Sequence, residues 1–144
     1  MWEKEEILSE HDVYVRVALS FISSKDNNPS ASAFSNTPKD GSNLSSDWSR
    51  YSTAKESWEN IGRQKKTTGE FKDPNKFRIW GLNVGKVRQI TPTQVVEHDP
   101  VFEVPENEYV PNNRAHSIII GDKPIKNNVE FRVSLVKSGK WEII

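Results

Sequence analysis

The chain has 144 residues with twenty Lys+Arg against twenty Asp+Glu, so it has room for one domain and no global field to hold nucleic acid or an anionic membrane. Hydrophobic residues make up 34%, below the roughly 45–50% of a typical globular domain (a count that includes glycine), so part of the chain is expected outside the packed core. No run of about 18 apolar residues exists to span a bilayer, and zero cysteines exclude disulfides, thiolate metal sites and a cysteine nucleophile.

The start, Met1-Trp2-Glu3-Lys4-Glu5-Glu6, lacks the basic opening and long apolar stretch of a signal peptide, so the expectation is a cytoplasmic protein. Val13, Val15, Val17, Leu19 and Phe21 then alternate strictly with Tyr14, Arg16, Ala18 and Ser20, which predicts a strand over 12–22 with one buried face. Residues 23–46 hold eight Ser, four Asn, two Pro and one Gly among 24. Their only large apolar residues are Phe34 and Leu44, so the composition predicts a long loop, mobile when free, that accounts for much of the low apolar fraction. It reads as an insertion or as a segment ordered by a partner.

Thr53 followed by Glu56 is a capping-box pattern, and Ala54, Trp58 and Ile61 share a helical face before Gly62, which predicts a short helix over 54–63. A polar connection follows at 64–69. Phe77 to Leu82 reads as a strand, and Asn83 as the cap of a short helical piece from Val84 to Ile90 that Pro92 cuts off. Gln94 to His98 is a strand ended by Asp99-Pro100. Pro100, Pro105 and Pro111 punctuate an extended loop over 99–113. Ala115 to Ile120 is a strand stopped by Gly121-Asp122, its isoleucine run suited to burial on both faces.

Residues 127–138 fit two patterns: Val129, Phe131, Val133 and Leu135 alternate as in a strand, while Val129, Val133 and Val136, or Phe131 and Leu135, line a helix face. Asn127 and Glu130 at its start and Gly139 after its end favour a helix. Trp141 to Ile144 is a last short strand. The sum is one α+β domain over 1–144, with a mixed or antiparallel sheet of four to five short strands, two or three helices and long loops.

Two loci could carry chemistry. The strands 94–98 and 116–120, if neighbours, bring His98 and His116 together, where two imidazoles could act as acid and base. Asp99 or Asp122 could join them at a divalent metal, and Arg114 could clamp a phosphate or carboxylate. The structural alternative is equally concrete: His-Asp-Pro is a common strand-ending turn, Asn113-Arg114 fits an ordinary loop, and His116 can be a buried, hydrogen-bonded histidine. Two histidines without a clear third ligand fall short of a metal site, and no cofactor or metal is expected.

The second locus is aromatic. Of five tryptophans, Trp58 and Trp80 fit core positions, whereas Trp48 and Tyr51 adjoin the serine-rich segment and, if exposed, would form with Arg50 an interface anchor. The competing reading packs them against the helix that follows. Arg63-Gln64-Lys65-Lys66 is the one local basic run, with acidic stretches at Glu3–Glu6 and Glu103–Glu108. Trp48, Tyr51, Lys65 and Lys66 could stack and neutralise a single-stranded nucleic acid, although zero net charge argues against such a partner. Gly81-Leu82-Asn83-Val84-Gly85 lacks the spacing of a nucleotide-binding glycine loop.

Asp47-Trp48-Ser49-Arg50-Tyr51-Ser52-Thr53, Val96-Glu97-His98-Asp99-Pro100 and Asn113-Arg114-Ala115-His116-Ser117-Ile118-Ile119-Ile120-Gly121 resemble, in that order, motifs of a group of small uncharacterised bacterial proteins. The resemblance covers about residues 45–144 and implies that these loop motifs matter; it implies no activity. Neutral charge, no recognised catalytic motif, the Ser/Asn-rich segment and the flanking Trp48, Arg50 and Tyr51 make the expected function a non-enzymatic bacterial accessory or adaptor module that binds a protein, as the small component of a multi-gene system. Its binding residues would be Trp48, Arg50, Tyr51, Asn113 and Arg114. The alternative is a small hydrolase or nucleotide-acting enzyme using His98, His116, Arg114 and Asp99.

Overall fold

The computed structural model describes residues 1–34, 43–91, 94–121 and 129–144. Six strands, β1 (Asp12–Ala18), β2 (Asn43–Trp48), β3 (Phe77–Asn83), β4 (Gln94–His98), β5 (His116–Gly121) and β6 (Gly139–Ile143), form one sheet in the order β4-β5-β2-β1-β3-β6. Every neighbouring pair is antiparallel. Three α-helices are described: α1 (Ala54–Glu59), α2 (Val84–Arg88) and α3 (Val129–Ser138). The architecture is α+β, with six strands among the described residues rather than the four to five expected.

The extra strand is β2, near the centre of the sheet, and it begins inside the segment predicted as a loop over 23–46. Leu44, Ser46 and Trp48 point one way, and serine in that register disguised the alternation. The buried Ser46 hydroxyl is satisfied by Ser117 on β5, Oγ to Oγ 2.7 Å, so a polar residue is tolerated there. The same segment contributes Phe34, at the end of a 3-10 turn over Ala31–Phe34, as a wholly buried core residue. Residues 35–42 of the predicted loop lie outside the described residues, as do Pro92, Asp122 and the predicted cap Asn127.

β1 is shorter than its alternation. Val13, Val15 and Val17 are at most 2% exposed, but Leu19 and Phe21 are 43% and 41% exposed. After Ala18 the chain tightens into a 3-10 turn, where the Ile22 amide donates to the Leu19 carbonyl, and the antiparallel partner β3 begins opposite Ala18 at Phe77.

The core lies on the face of Val13, Val15, Val17, Leu44, Trp48, Leu82, Val96 and Ile119. Phe131 and Leu135 on one stripe of α3, Val84 and Val87 of α2, Phe34 and Ile7 cover it. The stripe of α3 is therefore the Phe131/Leu135 one, while Val133 is 36% exposed. Gly139, predicted as a helix stop, opens β6. A Cβ there would meet the Trp80 indole nitrogen at 2.1 Å, and that nitrogen donates to the Leu135 carbonyl.

The opposite face is covered by α1 and the 3-10 turn Asn60–Arg63 that continues it, with Ile61 and Ile79 buried between. The Thr53/Glu56 capping box forms as predicted, with both reciprocal bonds made; such caps typically contribute about 1 kcal/mol. Asn83 caps α2 by accepting from the Lys86 amide.

Candidate functional site

β4 and β5 are neighbours, with His98 opposite Ser117. Side chains alternate along a strand, so His98 and His116 project from opposite faces of the sheet. His98 is 2% exposed, against Trp48 at 4.9 Å between ring centroids. Its Nδ1 accepts from the Glu5 amide at 3.0 Å, which leaves the proton on Nε2 to donate to the Arg114 carbonyl at 2.6 Å. His116 lies 2.8 Å from the Asp99 carbonyl and 3.3 Å from its carboxylate through Nδ1, and 3.3 Å from the Ser45 hydroxyl through Nε2. Each imidazole thus fastens a strand end to a loop, on its own face of the sheet. Among the described residues no three His, Asp or Glu side chains converge as a metal site.

The aromatic locus divides differently. Trp48 is wholly buried, not an exposed anchor. Its indole donates to His11 Nδ1 at 3.1 Å, and β2 turns it into the core because it shares the register of Leu44 and Ser46. Arg50 and Tyr51 follow in the turn after β2, and Arg114 in the turn before β5. These three meet. The Arg50 and Arg114 guanidinium carbons lie 5.6 and 4.2 Å from the Tyr51 ring centroid, and Arg114 donates to the Tyr51 hydroxyl at 3.3 Å.

Glu5, which the sequence did not single out, completes the group. It accepts from the Tyr51 hydroxyl and stands 3.7 Å from Arg50 and 3.8 Å from Arg114. The Tyr51 hydrogen bond holds the Glu5 carboxyl below its ordinary value against the opposing effect of burial, with Arg50, Arg114 and His98 adding to the depression. The N-terminal segment that carries it is strapped down by Ile7, 2% exposed, and by Arg88, which donates to the Ile7 carbonyl at 2.6 Å and the Ser9 hydroxyl at 2.9 Å.

Asn113 is one step removed. Its Oδ1 accepts from the Ala115 amide and its Nδ2 donates to Asp47 at 2.7 Å. Asp47 is 5% exposed, on the face away from the main core, and also takes bonds from Arg16 and Ser57. Asparagine therefore positions Arg114 rather than presenting itself. A lone aspartate in a strand, where the type is depleted, was the available signal for Asp47; Glu5 left none.

The basic run is covered from within. The loop over 99–113 is pinched by a bridge between Val101 and Asn113 and lays Glu106 against Arg63 and Glu108 against Lys65, at 3.2 and 2.7 Å. Two of the three cations of Arg63-Gln64-Lys65-Lys66 are so paired. A separate open cleft of about 370 Å³ mixes Lys86, Lys137 and Lys140 with Asp12 and Glu142. Among the described residues no helix is long and apolar enough to cross a membrane.

No family model matches the chain, and neither does any curated protein or solved structure.

Proposed function

We propose that this chain is a non-enzymatic accessory module that works by binding a partner protein, with Arg50, Tyr51 and Arg114 as its recognition surface. One observation carries the reading: two half-exposed guanidiniums, 53% and 46% accessible, gather at one tyrosine ring at the meeting of three chain segments. Arginine and tyrosine dominate binding hot spots because they combine large contact area with directional donors. Rigid support surrounds them. Tyr51 leans on Trp48 and stacks on His98, and the Arg114 carbonyl is held by His98. The bacterial placement rests on the resemblance of the Asp47–Thr53 and Asn113–Gly121 motifs, which both feed this surface; the accessory role in a multi-gene system rests on the neutral charge and the lack of a recognised catalytic motif. A hydrolase built on His98, Asp99, Arg114 and His116 is less favoured, since its two imidazoles face opposite sides of the sheet.

The test is capture of the full chain from cells that make it, with reciprocal capture of what co-elutes. The expected result is a defined complex on size exclusion that the double variant Arg50→Ala/Arg114→Ala no longer forms. A chain that runs only as free monomer, or a partner held equally by the double variant, sinks the reading.

A further inference from the structure

Glu5 fills the space between the two arginines without saturating them. It is bonded to the Tyr51 hydroxyl, but at 3.7 and 3.8 Å its oxygens stand beyond hydrogen-bond reach of both guanidiniums. The ion pairs approach different oxygens, Arg50 towards Oε1 and Arg114 towards Oε2, so the two cations bracket one carboxylate. A guanidinium reaches its full strength only in close, charge-assisted bonds, and that capacity is unspent here.

The backbone beneath Glu5 is fixed independently of its side chain. The Glu5 amide binds His98, Ile7 is buried, and Arg88 holds the Ile7 carbonyl and the Ser9 hydroxyl. The carboxylate can therefore swing out while the strap stays in place. The strap is also a template for its competitor, because Glu5 is the carboxylate of a Glu3-Lys4-Glu5-Glu6 stretch that stands between the two arginines.

We propose that Arg50, Tyr51 and Arg114 form a carboxylate-binding cradle that takes an acidic side chain of a partner peptide, and that Glu5 occupies it as an intramolecular stand-in which the partner displaces. This rests on the surface assigned above and names its ligand class. An acidic side chain from outside gains two guanidiniums and a phenol, while Glu5 returns to solvent. The chain's own carboxylate is tethered at high effective concentration, so it sets a threshold that weak or isolated anions do not pass.

The probe is a hexa-glutamate peptide capped at both ends, titrated into the full chain by calorimetry, with capped hexa-glutamine and inorganic phosphate as controls. Glu5→Ala removes the competitor and should bind the glutamate peptide about tenfold more tightly than the parent chain, the effect of one displaced charge-assisted contact. Tyr51→Phe keeps the ring for arginine stacking but loses the phenol, and should bind Glu5→Ala's peptide less well when the two changes are combined. Arg50→Ala/Arg114→Ala should abolish binding. Circular dichroism confirms that each variant is folded.

Equal affinity of the parent chain and Glu5→Ala overturns the stand-in. Equal binding of hexa-glutamine overturns carboxylate recognition, and phosphate binding as tight as the peptide overturns the acidic-peptide assignment. A cellular partner lost in the double arginine variant, without any glutamate-peptide binding, refutes the cradle and leaves the surface standing. Peptide binding alongside a partner that the double variant still holds does the reverse.

Discussion

Asp47 and Glu5 are both carboxylates that face arginine, and the protein treats them in opposite ways. Asp47 sits under α1 at 5% exposure. It accepts from Ser57 Oγ, from Asn113 Nδ2 at 2.7 Å and from Arg16 at 3.2 Å, so both of its oxygens are engaged. Glu5 lies at the surface with its side chain 30% exposed, one phenol bonded to it and two guanidiniums at arm's length. A buried charge has no water to fall back on and must be fully bonded, whereas a surface carboxylate exchanges its partners for water at little cost. The difference separates a carboxylate that holds the loops from one that can be traded for a ligand. Both converge on the same turn, because Asn113, which binds Asp47, is the residue before Arg114.

The largest expected effect breaks the first half of that contrast. Asp47→Ala removes the acceptor of Ser57, Asn113 and Arg16 at once and leaves their donors facing an apolar gap. The cost should be about 2–4 kcal/mol, read as a lower urea midpoint at unchanged slope. Glu5→Ala, measured beside it, should move the midpoint far less. Equal losses from the two would erase the distinction between a structural and an exchangeable carboxylate. Asn113→Ala comes next, at about 1–2 kcal/mol, because it deletes one charge-assisted bond to Asp47 and the turn bond to the Ala115 amide. It should also weaken capture of a partner, since Arg114 loses its support; unchanged capture would detach the surface from the Asp47 network.

Much of the fold is written locally. The valine alternation of β1, the capping box of α1, the asparagine cap of α2 and the bounds of β4 need only neighbours in sequence to be read. β2 escaped because its inward register carries serine, and the hydroxyl that satisfies Ser46 comes from Ser117, 71 residues away. The same gap left the exposure of Trp48 open, since the strand register that turns it into the core runs through residues read as loop. At the site, Arg50, Tyr51 and Arg114 were legible as residue types. Their meeting was not, because Glu5 reaches Tyr51 across 46 positions and His98 across 93. The histidine pair shows the converse: adjacency of β4 and β5 was foreseeable, but a register offset of one residue sends neighbouring side chains to opposite faces.

The smallest expected effect sharpens the second half of the contrast and separates two exposed carboxylate–cation groups by pH. The Tyr51 hydroxyl, with the arginines, depresses the Glu5 carboxyl below its ordinary 4.5. A group depressed in the folded state contributes stability that is present above its unfolded value and is lost as pH falls through the folded one. The midpoint difference between the parent chain and Glu5→Ala should therefore hold steady at neutral pH and shrink once the pH drops below the ordinary carboxylate value. Lys65 is the mirror case, since the bond from its ammonium to Glu108 raises it above 10.5. Its contribution is present below that value and is lost as pH rises through the raised one, so Lys65→Ala should differ from the parent at neutral pH and converge with it only in strong alkali. Both differences should shrink with added salt, because neither cation–carboxylate group is shielded from water. An acid-insensitive Glu5 difference would mean that the strap is held by its backbone and Ile7 alone. In that case the carboxylate contributes nothing to the folded state, and the cradle would exact no threshold from an incoming acidic peptide.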